Sequence, residues 1–153
     1  MNKFQQYLEY LPLVVEWVKQ QEQYILDAGI PLNNDQKIDA HLIGIRNIDK
    51  VRLLEVDRIP NPQNPILQKL GKEVGLLSEH TIGVSFRYGI YVKKGYLDQR
   101  TLIAHELVHT MQYERLGSIE NFLKEYITEC ILVGYPNGKL EMEARNFESK
   151  FDS

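Results

Sequence analysis

His105-Glu106-Leu107-Val108-His109 sets two imidazoles four residues apart, with a carboxylate beside the first of them. On a helix, residues four apart lie one turn above each other, so both rings can reach a single metal ion. Zinc favours such nitrogen ligands, at roughly 2.0–2.1 Å. A carboxylate at position 106 can take a proton from water at an open metal position, while the metal lowers that water's pKa and polarises a carbonyl. The chemistry implied is metal-assisted hydrolysis, with His105 and His109 as ligands and Glu106 as general base.

The pattern needs a helix, and residues 99–116 read as one. Turned at ~100° per residue, Ile103, Ala104, Leu107, Val108 and Met111 form a continuous apolar face, while His105, Glu106, His109 and Tyr113 fall on the other side with Leu102 and Leu116 among them. Such a helix belongs between a core and a cleft. The plain alternative is a surface helix decorated with polar residues; against it, the chain has 4 histidines and two of them share this face.

A third ligand is required. A metzincin would continue with Gly at 112 and His at 115, but Gln112 and Arg115 stand there. His41 and His80 lie upstream without helical relation to the motif, and read as ordinary surface or satisfied buried residues. Downstream, Leu140, Ala144, Phe147 and Phe151 make the apolar stripe of a last predicted helix, flanked by Glu141 and Glu143. Either carboxylate can lean into a cleft, although acidic residues are favoured at a helix start in any case.

From about Thr81 to Phe151, nearly half its length, the chain resembles the short gluzincin-type metallopeptidase domains of bacteria. The resemblance is carried by His105-Glu-Leu-Val-His109, by the continuation Thr110-Met-Gln-Tyr-Glu-Arg-Leu-Gly117 and by Glu141-Met-Glu-Ala144. It implies a small zincin-like α+β fold with a mixed sheet, zinc as the metal, Glu141 rather than Glu143 as third ligand, and a peptide or protein substrate. It also implies an edge strand lining the cleft, either Tyr91–Lys94 or Thr81–Phe86, which pairs with an extended peptide. A tyrosine or histidine usually steadies the oxyanion; Tyr113, Tyr126, Tyr135 and His80 are the candidates. Many gluzincins place an Asp four residues after the ligand glutamate to hold a ligand histidine. Arg145 stands there, with Glu143 or Glu129 as possible substitutes.

The elements around the motif follow from periodicity and punctuation. Residues 2–28 read as a helix, kinked or broken at Pro12 and ended by Gly29. Asn34 or Asp35 caps a second helix with Ile38, Leu42 and Ile45 on one face. Residues 51–56 read as a strand, Pro60, Pro62 and Pro65 as an irregular connection, and 66–74 as a short helix. Residues 81–94 alternate as two short strands with a bend or bulge at Gly89. Helices over 99–116, 119–133 and 139–151 follow, with a stop at Gly117 and a turn at Pro136-Asn137-Gly138.

Length and composition bound the rest. At 153 residues, 43% hydrophobic and 25% charged, the chain is expected to form one zincin-like domain over 1–153, with an N-terminal part (1–80) and a catalytic part (81–153). The net charge of −3 carries no basic stripe, which argues against nucleic acid. Cys130 is the single cysteine, no signal peptide is visible, and no run reaches the roughly 20 apolar residues of a membrane span. A cytoplasmic protein with no membrane partner is therefore expected. Two rival readings are a catalytically silent metal-binding sensor or interaction module, and a metal-free helical interaction protein using residues 2–28 as its surface.

Overall fold

The structure, a computed structural model, describes residues 2–74, 78, 80–135 and 137–151. Helix α1 (Lys3–Ala28) starts at a reciprocal cap, in which the Asn2 side chain accepts from the Gln5 amide and the Gln5 side chain from the Asn2 amide. It continues through Pro12 rather than breaking there; Pro12 is exposed, so water can serve the carbonyl that the missing N–H leaves unpaired. Helix α2 (Asn34–Ile43) is capped by Asn33, one residue before the expected position. Its expected apolar face is also corrected. Ile38 and Leu42 are 59% and 64% exposed, while Asp39, Ala40 and Ile43 point inward. The inward turn is stabilised because buried Asp39 accepts two hydrogen bonds from Arg100, at 2.9 and 2.8 Å.

Four strands, β1 (Ile30–Pro31), β2 (Arg52–Val56), β3 (Gly83–Phe86) and β4 (Gly89–Lys93), form one sheet in the order β1-β2-β4-β3. β4 runs parallel to β2 and antiparallel to β3, which makes the sheet mixed. Strand β4 is therefore central and β3 is an edge. Of the two candidate edge segments, Thr81–Phe86 holds and Tyr91–Lys94 does not. Alternation on β4 serves two cores: Tyr91 joins α1 on one side, while Ile90 and Val92 join α2 on the other. Gly89 is no bulge. It pairs with Phe86 just after the two-residue turn at Arg87-Tyr88, and a Cβ there would come within 2.9 Å of Ile25 on α1.

Helix α3 (Pro65–Val74) begins at Pro65, where a missing N–H costs nothing. The last three helices are α4 (Arg100–Leu116), α5 (Ile119–Val133) and α6 (Lys139–Lys150), close to the expected bounds. Gly117 ends α4 in the left-handed region and Ser118 caps α5, as read from the sequence. In the expected turn before α6, Pro136 lies outside the described residues. Tyr7, Leu11, Val18 and Ile25 of α1 pack with α5 residues in one core, so this helix covers the sheet rather than offering its apolar face to a partner. No helix among the described residues is long and apolar enough to cross a membrane.

Helix α4 is fixed at both ends. Arg100 holds Asp39, and Glu114 accepts from the Arg46 and Asn47 amides at 2.8 and 3.0 Å and from the Tyr88 hydroxyl at 2.8 Å. Partial burial opposes its charge, yet these donors hold the Glu114 carboxyl below its ordinary 4.5. A depressed folded pKa contributes stability that is present above the unfolded value and is lost as pH falls through the folded one. Wild type should therefore exceed Glu114→Gln in urea midpoint at neutral pH, and the gap should shrink on acidification below 4.5. A gap that holds constant with pH would show that the charge contributes nothing.

Candidate metal centre

His105 and His109 project from the same side of α4, with ring centroids 5.0 Å apart. The helix is held there by what surrounds it. Ile103, Ala104, Leu107 and Val108 pack into the core shared with α2 and α6, and Ala144 of α6 is fully buried against them. Small residues let α4 and α6 approach closely, and that brings Glu141 over the two rings. Its Oε1 lies 2.6 Å from His105 Nε2 and its Oε2 lies 3.3 Å from His109 Nε2. Among the described residues, His105, His109 and Glu141 form a group whose ligand atoms all lie within 4.8 Å of one another. The three sequence-predicted ligands converge, and Glu141 rather than Glu143 reaches the rings.

The outer ring nitrogens are also held. His105 Nδ1 lies 3.0 Å from Glu148 Oε2 and His109 Nδ1 lies 2.8 Å from Gln112 Oε1. With an acceptor at each Nδ1, the rings present both Nε2 atoms to Glu141. Gln112 is itself fixed, since its amide donates to Leu140 O at 2.8 Å and to Glu143 Oε1 at 2.7 Å. Tyr126 donates to Glu141 Oε2 at 2.5 Å. Each of the three converging side chains thus has a buttress behind it, the outer support that tunes metal ligands. Two imidazoles and a carboxylate arranged so fit a divalent ion such as zinc, although the donor set also suits other ions.

Electrostatics follow the same contacts. Burial opposes a charged His105, but the hydrogen bonds to Glu141 and Glu148 and the charges of Glu106 and Glu141 outweigh it and raise its pKa to about 9. His109 is raised by a similar balance, with Glu141 and Glu106 outweighing burial. Burial likewise opposes charge on Glu141, yet the two imidazoles and Tyr126 hold it well below the usual carboxylate range. Glu106 is only 5% exposed, and burial pushes its pKa above the ordinary carboxylate value.

A cavity of about 460 Å³ opens beside this group, lined by His105, Glu106, His109 and Glu141 among others. The edge strand β3 forms one wall. A Cβ on Gly83 would meet Leu102 at 3.2 Å and Glu106 Cγ at 3.4 Å, so the glycine lets the strand run close against Glu106. No protein-family model, curated protein or solved structure matches the chain.

Some sequence candidates take other places. Arg145 is exposed. Glu143 supports His109 only through Gln112, and is itself held by Arg115 at 2.8 and 2.9 Å. Glu129 accepts from the Leu140 amide at 2.9 Å and so caps α6 just before Glu141. Tyr126 is a partner of Glu141. Tyr113 is buried, stacked on Phe122 at 3.7 Å, and its hydroxyl points to Ser85 O at 3.4 Å. Tyr135 and His80 line the cavity, whereas His41 is exposed on α2. Sequence reading missed Glu148 and Gln112. The available signals were the spacings: Glu148 lies two turns beyond Glu141 on one face, and Gln112 three residues past His109.

Glu148 is the direct test of this outer support, because its side chain is 39% exposed and its loss should leave the fold intact. Glu148→Ala is expected to weaken metal binding by about 10–100-fold, read by competition with a chelator. Unchanged affinity would mean that His105 needs no such partner.

Proposed function

We propose that the chain is a zinc-dependent metallopeptidase-like hydrolase of zincin-like architecture, acting on peptide bonds. The observation that carries this is the convergence of His105, His109 and Glu141, with buried Glu106 beside them on one cavity wall. The order of parts supports the architecture: an edge strand, a buried helix with the two histidines, and a later helix that brings the third ligand.

A zinc ion held by His105, His109 and Glu141 would supply Lewis acidity, polarising the scissile carbonyl and lowering the pKa of water. The chain's own residues do the rest. Glu106 takes the proton of the attacking water as the carbon–oxygen bond forms. It returns that proton to the leaving nitrogen as the carbon–nitrogen bond breaks. Glu148 and Gln112 keep the imidazoles turned inward throughout. Strand β3 offers its outer edge to an extended substrate backbone, with Gly83 bringing that edge to within reach of Glu106.

A silent metal-binding module would use the same three ligands and would have no need of Glu106. Keeping a carboxylate buried beside the ligands is costly unless it works or is paired, which favours hydrolysis. The test is turnover of peptide amides by metal-loaded protein, side by side with Glu106→Gln. Loss of turnover with retained metal supports the reading, and undiminished cleavage contradicts the role of Glu106.

A further inference from the structure

The cavity extends well past the ligands. Its far walls come from the N-terminal half of the chain: Val14 and Trp17 of α1, Leu67 and Leu70 of α3, facing Phe122 and Ile127 of α5. The Tyr7 hydroxyl donates to Glu73, tying α1 to α3 across this end. Trp17 meets Phe86 of the edge strand edge-to-face at 5.3 Å, so the chamber is continuous with the strand beside Glu106. Its volume of about 460 Å³ falls in the range of small-ligand pockets, roughly 300–1,000 Å³.

The lining chemistry narrows what fits. Among the described residues no lysine or arginine lines the cavity, and its carboxylates and imidazoles are Glu106, Glu141, Glu148, His105, His109 and His80. An acidic side chain would enter without a counter-charge and a basic one would lose water at the apolar end, each at considerable cost. An apolar group loses nothing there and gains by leaving water.

We infer that this chamber is the specificity pocket of the site and receives a large apolar side chain, aromatic or long aliphatic, next to the bond to be cleaved. The inference rests on the hydrolytic reading for its meaning, but its binding test does not. The N-terminal part of the chain carries no catalytic motif, and the pocket gives it a role, because α1 and α3 form the walls that select the substrate.

Trp17 is the chain's single tryptophan and reports occupancy without a label. The experiment titrates the full chain, metal-free and zinc-loaded, with N-acetyl amides of glycine, leucine, phenylalanine and aspartate, and with decanoylglycinamide, following Trp17 fluorescence. The phenylalanine and leucine amides should bind about 10–150-fold more tightly than the glycine amide, the worth of burying one large apolar side chain. Val14→Phe, which fills the chamber, should remove that preference while leaving metal content unchanged; Leu70→Phe serves if that variant does not fold. Equal binding of all the amides, or a preference that survives both filling variants, would overturn the pocket. Tighter binding of decanoylglycinamide than of the phenylalanine amide would replace the side chain by an acyl chain and overturn it too. If the expected preference appears but the chain takes up no zinc when it is supplied, the pocket stands and the hydrolytic reading falls. Metal-dependent turnover indifferent to apolar residues leaves hydrolysis standing and removes the pocket.

Discussion

Glu106→Gln should keep one metal ion per chain and lose hydrolysis by about 10²–10⁴-fold, the usual contribution of a positioned general base. Glutamine matches the shape of glutamate, and Glu106 is not among the three converging ligands, so the metal set is untouched. What disappears is an acceptor that can take a proton from water and give it back. The side chain is 5% exposed, and bulk water cannot readily replace it in that position. Burial raises the pKa of Glu106, so a second outcome is expected on the acid limb of the rate profile. The base is competent only when ionised, and activity should fall as pH drops through a value above the ordinary 4.5. An active Gln variant would remove Glu106 from the mechanism.

The largest loss of stability is expected at Arg87, on the turn between β3 and β4. Glu22 of α1 is buried and accepts from the Arg87 guanidinium at 2.6 and 2.7 Å and from the Tyr88 amide at 3.0 Å. Arg87→Ala leaves that carboxylate buried with one donor. Breaking a buried pair from one side costs about 3–5 kcal/mol, and the low end, about 3 kcal/mol, applies because the Arg87 side chain is 36% exposed. Arg87 also sits at φ 67°, where side chains other than glycine are strained. Arg87→Gly loses the same pair but relieves roughly 1–2 kcal/mol of backbone strain, so it should be the milder variant. Urea unfolding of the two variants beside wild type reads both effects. A loss below about 1 kcal/mol for Arg87→Ala, the level of a surface ion pair, would show that the pair does not fasten α1 to the hairpin.

Much of the site could be read from residue spacing because it depends on local periodicity. His105 and His109 share a helical face whatever surrounds them, and Gly117 and Ser118 mark where that helix stops and the next begins. The helix bounds of the C-terminal third follow from the same short-range signals. What the sequence hid depends on contacts between distant elements. The inward face of α2 turns on Asp39 meeting Arg100 across 61 positions, so apolar periodicity alone pointed to Ile38 and Leu42. The edge strand could not be told from its neighbour, since only the pairing of β2 with β4 puts Tyr91–Lys94 inside the sheet. The resemblance to gluzincin-type domains put an acidic partner for a histidine at position 145, where Arg145 stands, and offered Glu143 or Glu129 in its place, whereas α6 presents that carboxylate about one turn further along, at Glu148. The N-terminal half carried no motif because an apolar wall has no residue signature; α1 and α3 acquire meaning only when folded against the cavity.

The central claim is that His105, His109 and Glu141 hold a metal, and elemental analysis of the purified chain tests it most directly, with wild type beside His105→Ala and Glu141→Ala. One zinc per chain in wild type is predicted, lost or weakened in both variants by more than the roughly 10–100-fold that an outer partner costs. No stoichiometric metal in wild type, even after zinc is supplied, would contradict the account and leave His105 to His109 as a chance spacing.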